Sequence, residues 1–245
     1  MRPHHFLLVG SALFTVGCAS LSTGTSSPAA TVLVPVHADT AGLHVEAQRI
    51  LQAFASGVQQ ARGSELAAAP TVVIRNQPQL IGFVGSVNQV FVPWWDTSPP
   101  EMRSVFQTFA GGGEAEAAHF FRAFFNRFLL AHEAGHWFQA RAKREERTLY
   151  DNENAANRLA VAFWRTQPGG EALLAELESL AARAADRLPD PTPAGQDAVA
   201  YFGANYEDLA RDPLKYGYYQ FRFMRDAIRD RKQLDFAQMV RVEAR

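Results

Sequence analysis

The stretch Leu129-Leu130-Ala131-His132-Glu133-Ala134-Gly135-His136-Trp137-Phe138 constrains this chain more than any other. Two histidines four residues apart lie on one face of a helix, one turn apart, so both imidazoles can reach one ion. Glu133 stands beside that ion, where a carboxylate can take a proton from bound water. The flanking residues carry no charge, so the pattern predicts a buried helix. A buried helix with two imidazoles and a carboxylate needs a partner for those groups, and a cation supplies it. The plainer alternative is an exposed helix with chance His and Glu, and the apolar flanks argue against it.

A catalytic zinc takes three protein ligands and a water. A third His six residues after the second, preceded by Gly, is excluded, because Gln139 and Ala142 occupy those positions. The other source is a carboxylate from the next helix, in Asp151-Asn152-Glu153-Asn154-Ala155-Ala156-Asn157-Arg158-Leu159-Ala160. Glu153, Ala156, Asn157 and Ala160 share one helical face. The small residues on that face, with Gly135 opposite, let the two helices approach closely. A mid-helix Gly costs about 1 kcal/mol against Ala, so Gly135 needs such a reason. The roughly ten residues after Ala142 can span about 30 Å, enough to bring the second helix back. The ordinary alternative for Glu153 is a first-turn Glu favoured by the helix dipole.

The chain has 245 residues, 47% hydrophobic and 20% charged, which marks it as globular. Its net charge of −1 provides no basic field, so no nucleic-acid partner is expected. The body holds no apolar run of about 18 residues that would span a membrane. The N-terminus is different: Arg2 precedes an apolar run from Phe6 to Val16, too short to span. Thr15-Val16-Gly17-Cys18 resembles the lipobox of bacterial lipoproteins, although Thr15 stands where Leu is usual. The resemblance implies a signal peptide over 1–18, lipidation at Cys18, a tether over 19–38 and a folded domain over 39–245. It also implies export and a lipid anchor to a bacterial membrane, at the periplasmic face of the outer membrane. Ordinary signal cleavage after Ala19 is the alternative. Cys18 is the only cysteine, so no intramolecular disulfide can form.

Along the body, apolar spacing predicts a helix from Leu43 to Ala61, stopped at Gly63. Strands are expected at Thr71–Arg75 and Val87–Val92, with Gly82 and Gly85 marking a turn between them. From Pro99 onward the pattern is helical, over 99–109, 115–142, 152–166, 169–187, 196–210, 213–231 and 234–241. A few strands ahead of many helices predict a mostly helical α+β domain with a small N-terminal sheet.

At the two helices the chain resembles the gluzincins, the thermolysin-like zinc peptidases. Their HExxH is followed by a helix with Glu-x-x-[Ser/Ala]-[Asp/Asn], matched here by Glu153-Asn154-Ala155-Ala156-Asn157. The likeness is greatest to compact bacterial peptidases and covers about residues 115–166. It implies a zincin-like fold and a Zn²⁺ cofactor on His132, His136 and Glu153. It also implies Glu133 as general base and a peptide or protein substrate. Asn157 would orient a ligand histidine, with less effect on its basicity than the commoner Asp. Substrate would lie along an edge strand, here the segment of Asn88, Val90 and Val92, with an ordinary core strand as the alternative.

An electrophile opposite the metal is also needed. Lys215-Tyr216-Gly217-Tyr218-Tyr219-Gln220 is the densest tyrosine group, and Tyr216 and Tyr218 are its candidates, against an ordinary core role. Hydrolysis of a non-peptide amide would use the same residues. A rival from another class is a lipoprotein that scaffolds envelope components and keeps zinc for structure. That role closes all four ligand positions, and no fourth ligand is evident.

Overall fold

The structure, a computed structural model, describes residues 33–64, 66–77, 80–142 and 147–244. The expected signal peptide, Cys18 and the tether up to residue 32 lie outside these. Val34 is buried in the core and Leu33 packs against it, so the folded domain begins ahead of residue 39, inside the expected tether.

Helix α1 (Thr40–Arg62) starts where the Asp39 side chain accepts from the Gly42 N–H, and stops at Gly63 with φ +68°. It buries Leu43, Ala47, Ile50, Leu51, Phe54 and Val58, a helical stripe against the sheet and the later helices. The sheet has β1 (Thr71–Ile74), β2 (Gly82–Val84) and β3 (Gln89–Val92) in the order β1-β3-β2. β1 pairs with β3 parallel and β2 pairs with it antiparallel.

This arrangement corrects the expected edge strand. The Val87–Val92 segment supplies the central strand, hydrogen-bonded on both sides, and Val90 and Val92 are fully buried. Asn88 lies outside it, in a turn with φ +52°, and its Oδ1 accepts from Arg141 at 2.7 Å. The outer side of β1 is covered by α1, where Gln48 Oε1 accepts from the Val72 N–H at 3.0 Å and Gln48 Nε2 donates to Pro70 O at 3.1 Å. The edge that remains is β2, built from residues that looked like a turn.

After a short turn at Trp95–Thr97, α2 (Pro100–Ala110) and α3 (Glu114–Ala123) follow. α3 continues through a π-helical turn at Phe124–Phe128 into α4 (Leu129–Ala142), which carries the HExxH motif. The Leu129 N–H donates to Phe124 O, five residues back, which defines the π turn. Phe120, Phe121, Phe124 and Phe128 are buried there, and Asn126 Nδ2 donates to Pro93 O at 2.9 Å. Trp95 closes this aromatic core against Phe106 and Phe121.

α5 (Leu149–Arg165) begins three residues before its expected start, because Thr148 Oγ1 caps it by accepting from the Asp151 N–H. It returns along α4 at close range: a Cβ at Gly135 would stand 3.3 Å from Ala156 Cα. α6 (Gly170–Arg187) precedes the Pro-rich linker. The helix expected over 196–210 is broken at Asn205 into α7 (Ala198–Ala204) and α8 (Tyr206–Arg211). α9 (Pro213–Arg229), capped by Asp212 with Pro213 at its first position, packs on α5 and α6. α10 (Phe236–Glu243) closes the domain against α1. The domain is therefore mostly helical with one small sheet. Among the described residues no helix is long and apolar enough to cross a membrane.

Candidate metal centre

α4 and α5 bring His132, His136 and Glu153 together, with one ligand atom of each within 4.8 Å of the others. His132 Nε2 lies 3.0 Å from His136 Nε2, and Glu153 Oε2 lies 3.3 Å and 3.6 Å from the two nitrogens. The close approach that Gly135 permits at Ala156 is what brings Glu153, one turn earlier on α5, against both imidazoles. His132, Glu133 and Glu153 are buried, while the His136 side chain is 24% exposed, so the centre meets solvent on that side.

The donor set fits zinc: two imidazole nitrogens and one carboxylate oxygen, converging without a fourth member among the described residues. Two neutral imidazoles with Nε2 atoms facing at 3.0 Å need a proton or a cation between them.

His136 and Glu153 each have a second partner. His136 Nδ1 lies 2.9 Å from Gln139 Oε1, and Gln139 Nε2 donates to Asn152 O at 3.1 Å. The amide oxygen accepts, so Nδ1 carries a hydrogen and Nε2 is the nitrogen left for a metal. Glu153 Oε1 accepts from the Tyr206 hydroxyl at 3.1 Å, and Oε2 from Gln220 Nε2 at 2.6 Å. Asn157, fully buried, donates through Nδ2 to Glu153 O at 2.9 Å and to Gln220 Oε1 at 3.0 Å. Two buried atoms here lack a partner among the described residues, His132 Nδ1 and Asn157 Oδ1, one able to donate and the other to accept. Glu133 Oε2 accepts from the Phe83 N–H of β2 at 2.8 Å. Phe83 therefore points its main-chain groups away from β3 and toward α4.

No protein family, curated protein or solved structure matches this chain.

Of the expected tyrosines, Tyr216 reaches the centre only through others, its hydroxyl accepting from Gln220 Nε2 at 2.9 Å. Tyr218 does not reach it: its ring lies under the Arg222 guanidinium and its hydroxyl bonds Asp190. This corrects the assignment of Tyr218 as electrophile, since α9 turns it toward the Pro-rich linker. Tyr206, Gln220 and Gln139 were not expected here. His119 is remote and partly exposed, bound to Glu176 at 2.5 Å.

Charge in the metal-free centre is set by proximity. Burial disfavours the His136 imidazolium, but Glu153, by charge and hydrogen bond, outweighs it with help from Glu133 and Gln139, and His136 is pushed up to about 9. Burial also acts to raise the Glu153 carboxyl, yet His136 and hydrogen bonds from both imidazoles hold it well below the usual carboxylate range. A histidine raised above its ordinary value of 6.5 contributes stability that is fully present below that pH and lost as pH rises through about 9. A metal ion on His136 Nε2 would have to displace the same proton, so its affinity would rise over this window, by about tenfold per pH unit. Melting curves with chelator and with zinc, recorded across pH 6.5 to 9, should show a zinc-induced increment that grows with pH. A constant increment would mean that His136 is not a ligand.

Proposed function

We propose that this chain is a zinc-dependent hydrolase of zincin-like fold, a gluzincin-type peptidase anchored through Cys18 to the bacterial envelope. The observation that carries the reading is the buried convergence of His132, His136 and Glu153 beside Glu133. A three-member donor set that meets solvent at His136 suits a catalytic ion better than a structural one, which closes every position.

His132, His136 and Glu153 would hold the zinc, which would supply a Lewis acid able to activate a water near neutral pH. Glu133 takes the proton from the attacking water and passes it to the leaving nitrogen. Gln139 keeps His136 turned with Nε2 inward, and Gly135 keeps α5 close enough for Glu153 to serve. The edge that faces α4 is β2; Glu133 holds the Phe83 N–H there, and the Phe83 carbonyl, on the same side, suits pairing with an extended peptide.

Turned from Glu153 Oε1, to which it donates, the Tyr206 hydroxyl would meet the developing negative charge on the carbonyl oxygen. Burial first, and then the charge of Glu153, push its pKa far up, so it stays a neutral donor. Tyr206→Phe should still take up a full zinc, at about tenfold lower affinity for want of the bond to Glu153, and lose about 10²-fold in kcat, the size typical of one oxyanion donor. If kcat is unchanged at full zinc content, Tyr206 only braces Glu153.

Metal analysis of purified protein, joined to a mixed peptide library read by mass spectrometry, tests the whole reading. About one zinc per chain and discrete cleavage sites are expected. A chain that neither carries nor takes up zinc ends the proposal. Full zinc without peptide cleavage would favour the scaffold or a non-peptide amide substrate.

A further inference from the structure

Gln220 lies 67 residues beyond Glu153 and belongs to no recognisable motif, yet it touches three groups of the metal centre. Its Nε2 donates to Glu153 Oε2 at 2.6 Å and to the Tyr216 hydroxyl at 2.9 Å, and its Oε1 accepts from Asn157 Nδ2 at 3.0 Å.

The orientation of both amides follows from hydrogen-bond chemistry. An ionised carboxylate only accepts, so Glu153 takes the nitrogen end of Gln220. That turns the Gln220 oxygen toward Asn157, which must answer with its nitrogen. The second hydrogen of that nitrogen goes to Glu153 O at 2.9 Å. Asn157 is then left with a buried carbonyl oxygen that no group among the described residues satisfies. A flipped Asn157 would set its oxygen against Gln220 Oε1 and Glu153 O, two acceptors against a third.

We propose that Gln220 is a positioning residue of the metal centre, holding Glu153 Oε2 toward the two imidazoles and fixing the orientation of the Asn157 amide, which donates to the Glu153 main chain. Through these two contacts one side chain of α9 braces Glu153 of α5 at its carboxylate and, by way of Asn157, at its main-chain oxygen. The inference rests on the zinc reading given above, and it goes beyond that reading by assigning the support of Glu153 to a third helix.

Gln220→Met keeps the length of the side chain and removes both hydrogen-bonding ends. Zinc affinity, measured by competition with a chromophoric chelator, should fall about 10- to 100-fold, the range for outer-shell partners. The visible absorption of the cobalt-loaded protein should shift as well, because Glu153 is no longer held at one angle. Should the Met variant not fold, Gln220→Glu gives a second reading. It keeps the shape, but at neutral pH its carboxylate cannot donate to Glu153, so affinity should fall by tenfold or more.

Tyr219→Phe is the control. It lies on the same helix and loses only the bond to Thr192 Oγ1 at 2.6 Å, so zinc affinity and cobalt spectrum should match the parent. Zinc affinity within about twofold of the parent in the Gln220 variants overturns the proposal. So does an equal loss in Tyr219→Phe, which would trace the effect to α9 packing. A parent that binds no zinc removes the reading of the centre and this proposal together, and is distinguishable from both.

Discussion

Glu133→Gln should fold, hold zinc as the parent does and lose about 10²- to 10⁴-fold in turnover, the usual worth of a general base. The substitution is nearly isosteric. The carboxamide oxygen can still accept from the Phe83 N–H, the bond that Glu133 Oε2 makes at 2.8 Å, so the tie between α4 and β2 survives. Only the ability to take a proton at neutral pH is removed. Glu133 is not among the three converging ligand atoms, so metal content should not change. The measurement is a paired one, zinc per chain and initial rate on a peptide found in the library. Equal rates for parent and variant would mean that the activity is a contaminant or that another group is the base. Loss of zinc with loss of rate would place Glu133 among the ligands instead.

The parts of the centre that could be read from the sequence are those that depend on one helix at a time. The four-residue spacing of His132 and His136 and the face shared by Glu153, Ala156 and Asn157 are helical geometry. Gly135 signalled the close approach of α4 and α5 because its cost in a helix demanded a reason. What could not be read depends on long-range placement. Gln220 and Tyr206 meet Glu153 from 67 and 53 residues away, and nothing local distinguishes them from other helical polar residues. Tyr206 begins a helix of its own only because the chain breaks at Asn205, where an unbroken helix over 196–210 was expected.

The sheet was legible in number of residues more than in order. Val90-Phe91-Val92 has no polar alternation, a sign of a strand buried on both faces, and that signal favoured a central position over an edge. β2 escaped notice because three residues are too few for a period, and Gly82 and Gly85 at its ends imitate a turn. The π turn at Phe124–Phe128 also leaves no local signature. It is imposed by packing, where Phe124, Phe128 and Asn126 are all buried within five residues.

Glu153→Ala should separate the metal from the fold. Apparent zinc free energies of about 10–16 kcal/mol for four-ligand sites imply about 3 kcal/mol per ligand, so Kd should rise by a hundredfold or more. The metal-free protein should respond differently. In it Glu153 is the main support of the charged His136, and removing one partner of a buried pair leaves the other uncompensated. His136 should then lose its proton at lower pH than in the parent, and the pH-dependent part of the metal-free stability between 6.5 and 9 should shrink. Glu153→Gln sharpens the comparison, because it keeps an oxygen and the volume while removing the charge. It should bind zinc more weakly than the parent and more tightly than Glu153→Ala. Chelator competition on the three proteins, with melting curves of their metal-free forms, provides both readings. If Glu153→Ala binds zinc as tightly as the parent, the third ligand lies elsewhere, and the approach of α5 to α4 at Gly135 serves packing alone.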